Sequence, residues 1–288
     1  MIIITGATGQ LGQAITELLL AKVPADQIGV SVRDVEKAKS FSERGVRVRH
    51  GDFGDAASLS HAFEGASQVL IISSNSTHDA AVQHHHTAIE AAKAAGASRI
   101  LYSSHMGSNP ESPFPPMPDH AASEELLKNS GVAFTSLRNG FYANSGLMLM
   151  GQALETGYIF APEDGPISWT THADLAEAAV IALTEEGRLD GLTPALTASK
   201  ALDLADIAAI ASELAGRPIQ RVVVSDEEYR ATLITRGVPT HRADLLVGMF
   251  LASRKGEFAT VDPTLENLLG RPPVSMREFL ASRIQSEG

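Results

Sequence analysis

The sequence predicts an α/β protein built on a doubly wound parallel sheet, and two observations carry that prediction. The first is the order of elements at the N-terminus. An apolar strand, Met1-Ile2-Ile3-Ile4-Thr5, runs into the turn Gly6-Ala7-Thr8-Gly9-Gln10-Leu11-Gly12 and then into an amphipathic stretch ending at Lys22. The second is the alternation of short apolar strands with helical segments through the first half of the chain, the pattern of a sheet covered on both faces. Right-handed crossovers between such strands give a Rossmann fold, whose ligands bind at the carboxyl ends of the strands.

The first unit is the most informative. Glycine at positions 6, 9 and 12 permits a tight strand-to-helix turn, close approach of backbone to a pyrophosphate, and close packing of helix on strand. The phosphates would lie at the N-terminus of the helix over 10–22, where unpaired N–H groups favour negative charge. Gly6, Thr8, Gly9, Gln10, Leu11 and Gly12 are therefore expected to bind a dinucleotide; a structural glycine turn is the alternative. Strands follow over 28–32, 46–50, 68–72, 99–102 and 133–137. Helices are expected over 35–43, 56–63 and 80–95, the last ending at Gly96, and near 121–130. Beyond Arg138 the regularity fades into Gly- and Pro-rich loops, with helices over 173–184, 204–215, 226–236 and 242–253 and extended pieces at 195–197 and 220–224. Asp174 is placed to organise the start of the first of these helices. Residues 1–138 thus read as a dinucleotide-binding domain. Residues 139–288 read as the last sheet strands plus a smaller, mostly helical substrate lobe.

Composition narrows the function. The 288 residues are 44% hydrophobic and 20% charged, with a net charge of −11. An acidic surface argues against direct nucleic-acid binding, which needs a basic face. The longest apolar runs are too short to span a membrane and no basic leader precedes the first strand, so a cytoplasmic protein, monomer or homodimer, is expected. Zero cysteines exclude disulfides, thiolate metal sites and cysteine nucleophiles. His84-His85-His86 resembles a metal cluster, but consecutive helical residues point about 100° apart. No metal is expected there.

The second strand ends at Val32, and Arg33 stands 21 residues beyond Gly12, where a ribose-binding acid or a 2′-phosphate-binding base is needed. Lys37 lies one helical turn further on, so the two cations can converge on one phosphate. This favours NADP(H); Asp34 could instead serve the ribose hydroxyls of NAD(H). Asp52, followed by Phe53, is placed beside the adenine, or else caps the next turn. Ser73 and Ser74 end the fourth strand and Ser103 the fifth, all on the nicotinamide side.

Several stretches then resemble one family. Thr5 to Gly12, Val32-Arg33…Lys37-Ala38, 46–52, 91–96, Leu137-Arg138-Asn139, 184–187 and 254–257 are similar to the NmrA-like, atypical short-chain dehydrogenase/reductases, especially their bacterial NADPH:quinone reductases and triphenylmethane reductases. The resemblance implies NADPH binding with Arg33 and Lys37 on the 2′-phosphate. It does not fix the substrate, because the family also holds redox-sensing regulators and tailoring enzymes.

The Tyr-x-x-x-Lys pair of ordinary short-chain reductases is absent: no lysine has a tyrosine four residues before it. His120 and Glu124 share that spacing instead and face one side of a helix, either as a catalytic pair or as a solvated one. Ser104 and His105 follow the fifth strand as pocket residues or turn formers. The proline-rich loop 106–118 offers Phe114 and Met117 as an apolar wall, and Asn139, Phe141 and Tyr142 leave the sixth strand toward the same crevice. Tyr142 is the best-placed phenol. The expected activity is NAD(P)H-dependent reduction of a quinone or small conjugated aromatic, in which charge delocalises into the substrate and little protein acid is needed. An NAD(P)-sensing regulator and an aromatic polyketide-tailoring monooxygenase are the alternatives.

Overall fold

The computed structural model describes residues 1–284. The first half runs β1 (Ile2–Thr5), α1 (Gln10–Leu20), β2 (Ile28–Val32), α2 (Lys39–Ser42), β3 (Arg47–His50), α3 (Ala56–Phe63), β4 (Gln68–Ile71), α4 (Asp79–Ala94), β5 (Arg99–His105), α5 (Pro116–Asn129) and β6 (Ala133–Asn139). The second half adds β7 (Phe141–Tyr142), α6 (Ala143–Leu149), α7 (Ala153–Thr156), β8 (Tyr158–Ala161), β9 (Trp169–Thr170), α8 (His172–Thr184) and β10 (Gly191–Leu192). It ends with α9 (Leu204–Ala215), β11 (Gln220–Val223), α10 (Asp226–Thr235), α11 (Thr240–Arg254), α12 (Thr264–Leu269) and α13 (Met276–Ile284).

The central sheet is parallel throughout, in the order β10-β6-β5-β4-β1-β2-β3. The chain winds outward from β1 to β3, then returns to β4 and winds the other way. The direction reverses between β1 and β4, which opens a crevice at their carboxyl ends. Side chains alternate across the sheet. Ile4, Val30, Leu70, Leu101 and Leu137 pack under α1 and α8. Ile3, Val69, Ile71, Ile100 and Tyr102 face α3, α4 and α5 through Leu59, Phe63, Ala88, Ile89 and Leu127. Burial on both faces explains why these strands read as continuous apolar runs.

A third core, around Trp169, Ile207, Phe250 and Phe258, holds the lobe together. The lobe's strands form two small parallel pairs, β8 with β11 and β7 with β9. Buried Arg99 clamps the second half to the sheet, donating to the carbonyls of Ala182 and Leu189 at 2.6 and 2.7 Å. Asp174 lies inside the α8 cap: its N–H donates to Thr171 Oγ1 at 3.2 Å, while its carboxylate accepts from Arg271 at 2.8 Å.

Several elements differ from expectation. The helix over 35–43 is a 3-10 turn, Glu36–Ala38, followed by the short α2, because Asp34 accepts the Glu36 N–H and starts a tight turn. The helix expected near 121–130 begins at Pro116, since proline costs little in a first turn whose N–H groups are unpaired anyway. Residues 195–197 form no strand; Leu196 makes one isolated bridge to Asn139, and Gly191–Leu192 completes the sheet edge instead. No helix among the described residues is long and apolar enough to cross a membrane.

Candidate active site

A groove of about 640 Å³ runs along the carboxyl ends of β1 to β4. Gly6 has φ +62°, a left-handed conformation that favours glycine, and its carbonyl accepts the Gly9 N–H at 3.0 Å. A Cβ on Gly12 would sit 2.4 Å from the Gly6 oxygen, so α1 can approach the turn only with glycine there. Gly9 begins α1 with no side-chain cap, and no acidic residue occupies the first turn. The helix therefore offers its first amides, with their partial positive charge, to the groove. Thr8 lines the groove, whereas Leu11 and Gly12 are buried, leaving only their backbones to serve a ligand. The Gln10 carboxamide accepts from Asn144 at 2.8 Å, turned toward the lobe.

Arg33 and Lys37 both line the groove beside the end of β2. Asp34 is drawn into local contacts: Oδ1 accepts the Glu36 N–H at 3.1 Å and Oδ2 lies 3.6 Å from Lys37 Nζ. Asp52 and Phe53 also line the groove, and Asp52 Oδ1 accepts the Gly54 N–H at 2.8 Å. The α3 cap is Asp55 rather than Asp52; it accepts from the amides of Ala57 and Ser58.

The β4–α4 loop closes the far side. Ser73 donates its N–H to Ser103 Oγ at 2.8 Å, which joins the groove to β5. Ser74 donates its N–H to His85 Nε2 at 2.9 Å, and its hydroxyl meets His84 Nδ1 at 3.2 Å. Helical spacing thus gives the histidine triplet three environments: His84 lines the groove, His85 is buried and His86 is exposed. His78 ends the loop at φ 60°, unusual for a non-glycine residue, with its N–H donated to Asp119 Oδ2 at 2.8 Å.

At the end of β5 the structure corrects the expected His120–Glu124 pair. Buried Glu124 turns to β6, where Arg138 donates to its two oxygens at 3.0 and 2.6 Å. Glu124 also accepts from the hydroxyls of Ser104, Ser136 and Ser108. Burial pushes its carboxyl up, but the hydrogen bonds and charge of Arg138, with the serine hydroxyls, outweigh this and hold it below its ordinary value. Ser104 therefore spends its hydroxyl on Glu124, not on a pocket. His120 Nδ1 instead meets Tyr102 Oη at 2.8 Å. Its ring stacks on His105 with centroids 6.1 Å apart, and His105 Nδ1 accepts the Gly107 N–H at 3.0 Å. Both rings are half-buried, and desolvation pushes both imidazoles down to about 3, so they are uncharged near neutral pH.

Phe141 and Phe258 meet His105 edge-on at 5.2 and 5.5 Å. Phe114, Met117 and Phe141, expected as a pocket wall, are buried in the lobe core at 8%, 1% and 8% exposure; Phe141 meets the His105 ring and Phe114 stacks on Phe141. Asn139 is buried at the end of β6. Tyr142 packs on His172 at 4.2 Å, and burial raises its hydroxyl, with Asn139 pulling the other way. A phenol held protonated in this way is a weak acid. Tyr102 and His85 are neighbours of the site that the sequence does not single out for it: Tyr102 reads as a strand end and His85 as one of a histidine triplet. No local motif marks them, since they meet His120 and Ser123 only through the packing of α4 and α5 on β5.

The comparisons with known proteins agree with this geometry. Over 282 residues the chain is 37% identical to quinone oxidoreductase 2 of Escherichia coli, covering 98% of each. Its fold superposes on the NADPH-dependent quinone oxidoreductase of Escherichia coli, solved in complex with NADPH, with a TM-score of 0.92 and 35% identity, over 99% of this chain and 100% of that one. The Citrobacter triphenylmethane reductase solved with NADP(H) matches at a TM-score of 0.90 and 33% identity, over 98% and 99%. The profile of the NmrA-like family spans residues 1–279, from the glycine turn through the lobe, and this protein belongs to that family.

Proposed function

We propose that this protein is an NADPH-dependent reductase that passes hydride to a quinone or a related conjugated aromatic. The observation that carries the reading is the junction of two features at Ser73 and Ser103. On one side lies an uncapped helix N-terminus with Arg33 and Lys37 in the same groove; on the other lies the uncharged pair His105 and His120. The groove fits a dinucleotide: an added Cβ on Gly9 would meet only the Gly6 oxygen, at 3.4 Å, so the surface over the first amides is open. Bound NADPH supplies the hydride. The amides from Gln10 to Gly12 hold the pyrophosphate, and Arg33 and Lys37 hold the 2′-phosphate. His105 and His120 lend N–H donors to an acceptor oxygen as it gains charge, and solvent completes the protonation. The relatives' chemistry favours reduction over the regulatory and oxygenating readings.

Two variants test this. Arg33→Ala should weaken NADPH about ten- to a hundredfold, the effect of losing one charge-assisted contact of about 1.5–3 kcal/mol. NADH, lacking the phosphate, should change little. Dissociation constants for both cofactors decide it, and equal losses would remove the 2′-phosphate assignment. His120→Ala should lower turnover with a quinone on the order of a hundredfold, the usual cost of one well-placed donor, with NADPH affinity unchanged. Steady-state rates that barely move would make His120 a bystander.

A further inference from the structure

What His120 can do for a substrate depends on which ring nitrogen carries its proton, and side chains behind it settle that. The Ser74 N–H can only donate, and its acceptor is His85 Nε2 at 2.9 Å. His85 is 2% exposed and kept uncharged by desolvation, so its single proton sits on Nδ1. That proton faces Ser123 Oγ at 2.7 Å, and the Ser123 hydroxyl passes its own hydrogen to the Asp119 carbonyl at 2.7 Å.

Tyr102 Oη lies 3.4 Å from His85 Nδ1 and 2.8 Å from His120 Nδ1. His85 Nδ1 is already a donor and cannot take the tyrosine hydrogen. His120 Nδ1 can, at the shorter distance, whereas Ser123 Oγ, the other partner of the Tyr102 hydroxyl, is already engaged by the His85 proton and the Asp119 carbonyl. Neither nearby acid competes for the ring: Glu124 is engaged by Arg138, and Asp119 takes the His78 N–H. A neutral imidazole that accepts at Nδ1 presents N–H at Nε2, and no hydrogen bond among the described residues engages that atom.

We propose that Tyr102, backed by buried His85, is a positioning residue that locks His120 in the Nε2–H tautomer and so presents a hydrogen-bond donor to a carbonyl oxygen of the substrate. The Gly107 N–H imposes the same tautomer on the neighbouring His105. Two uncharged donors suit an acceptor whose reduction leaves negative charge on oxygen, as in a quinone, better than a cationic dye. This substrate preference rests on the reductase reading; the tautomer lock does not.

Long-range ¹H–¹⁵N spectra of the full-length protein at neutral pH, with histidines assigned by single substitutions, test the lock directly. His120 should carry its proton on Nε2 and His85 on Nδ1, opposite tautomers in one protein. In Tyr102→Phe the His120 signals should move toward a mixture of tautomers. Turnover with a quinone should then fall about two- to tenfold, the effect of one neutral hydrogen bond, with NADPH affinity unchanged. A wild-type His120 protonated on Nδ1 overturns the proposal, as does a Tyr102→Phe variant with unchanged His120 signals and turnover. Expected tautomers in a protein that reduces no quinone would defeat the reductase reading and leave the lock standing.

Discussion

Replacing Gly9 with valine should abolish NADPH binding and leave the protein folded. Gly9 sits at φ −84°, ψ 166°, extended backbone that valine adopts readily. An added Cβ there meets only the Gly6 oxygen, at 3.4 Å, so its methyls would project over the amides proposed to receive the pyrophosphate. Gly9 contributes no side-chain cap, so α1 loses no hydrogen bond in the exchange, only the modest preference of an N-cap for glycine over valine. Calorimetry should find no NADPH binding alongside a native circular dichroism spectrum and a cooperative melt lowered by only a few degrees. Gly12→Ala is the contrasting control, because its Cβ would stand 2.4 Å from the Gly6 oxygen and force α1 off the strand. Normal affinity in Gly9→Val would remove the phosphate-loop assignment.

Glu124→Ala should cost about 2–3 kcal/mol of stability, below the usual ~3–5 kcal/mol for breaking a buried ion pair because the Arg138 left behind is partly exposed. Arg138 would lose both oxygens it donates to, and Ser104, Ser108 and Ser136 would lose their acceptor. These contacts bind α5 to β5 and β6, so the loss falls on the elements that carry His105 and His120. Glu124→Gln, which keeps the shape and part of the bonding, should lose less. The pH dependence has a definite sign. Because the folded carboxyl lies below its ordinary value of 4.5, the wild type holds this stability above that value and loses it as pH falls through the lowered folded one. The gap between wild type and Glu124→Gln in urea unfolding should therefore narrow on acidification. A gap that stays constant would show that Glu124 contributes by shape alone.

The parts of this site that were legible in the sequence are those set by local chain geometry. Gly6, Gly9 and Gly12 act within one turn, and Arg33 follows the strand end by a spacing the fold dictates, so their positions could be read from one strand–turn–helix unit. The sheet was legible for the same reason: each strand is a short apolar run buried on both faces. His120 was found by position, but its partner was misassigned. Sequence spacing offered Glu124, whereas packing on β5 brings Tyr102 to the imidazole and β6 brings Arg138 to the carboxylate. Phe114, Met117 and Phe141 look alike as pocket wall or lobe core until the lobe closes around Phe258 and Trp169. The histidine triplet gave no metal pattern, and its two interior members have neighbours only in the folded chain. The two-residue strands β7, β9 and β10 are too short to show a period of two.

The central claim is that this protein moves hydride from NADPH to a quinone, and an anaerobic stoichiometry tests it most directly. NADPH consumption and hydroquinone formation should be measured together across a panel of quinones, under nitrogen and in air. One hydroquinone should form per NADPH consumed, at the same initial rate in both atmospheres and more slowly with NADH. Tight NADPH binding with no oxidation by any quinone, or consumption only when oxygen is present, would contradict it.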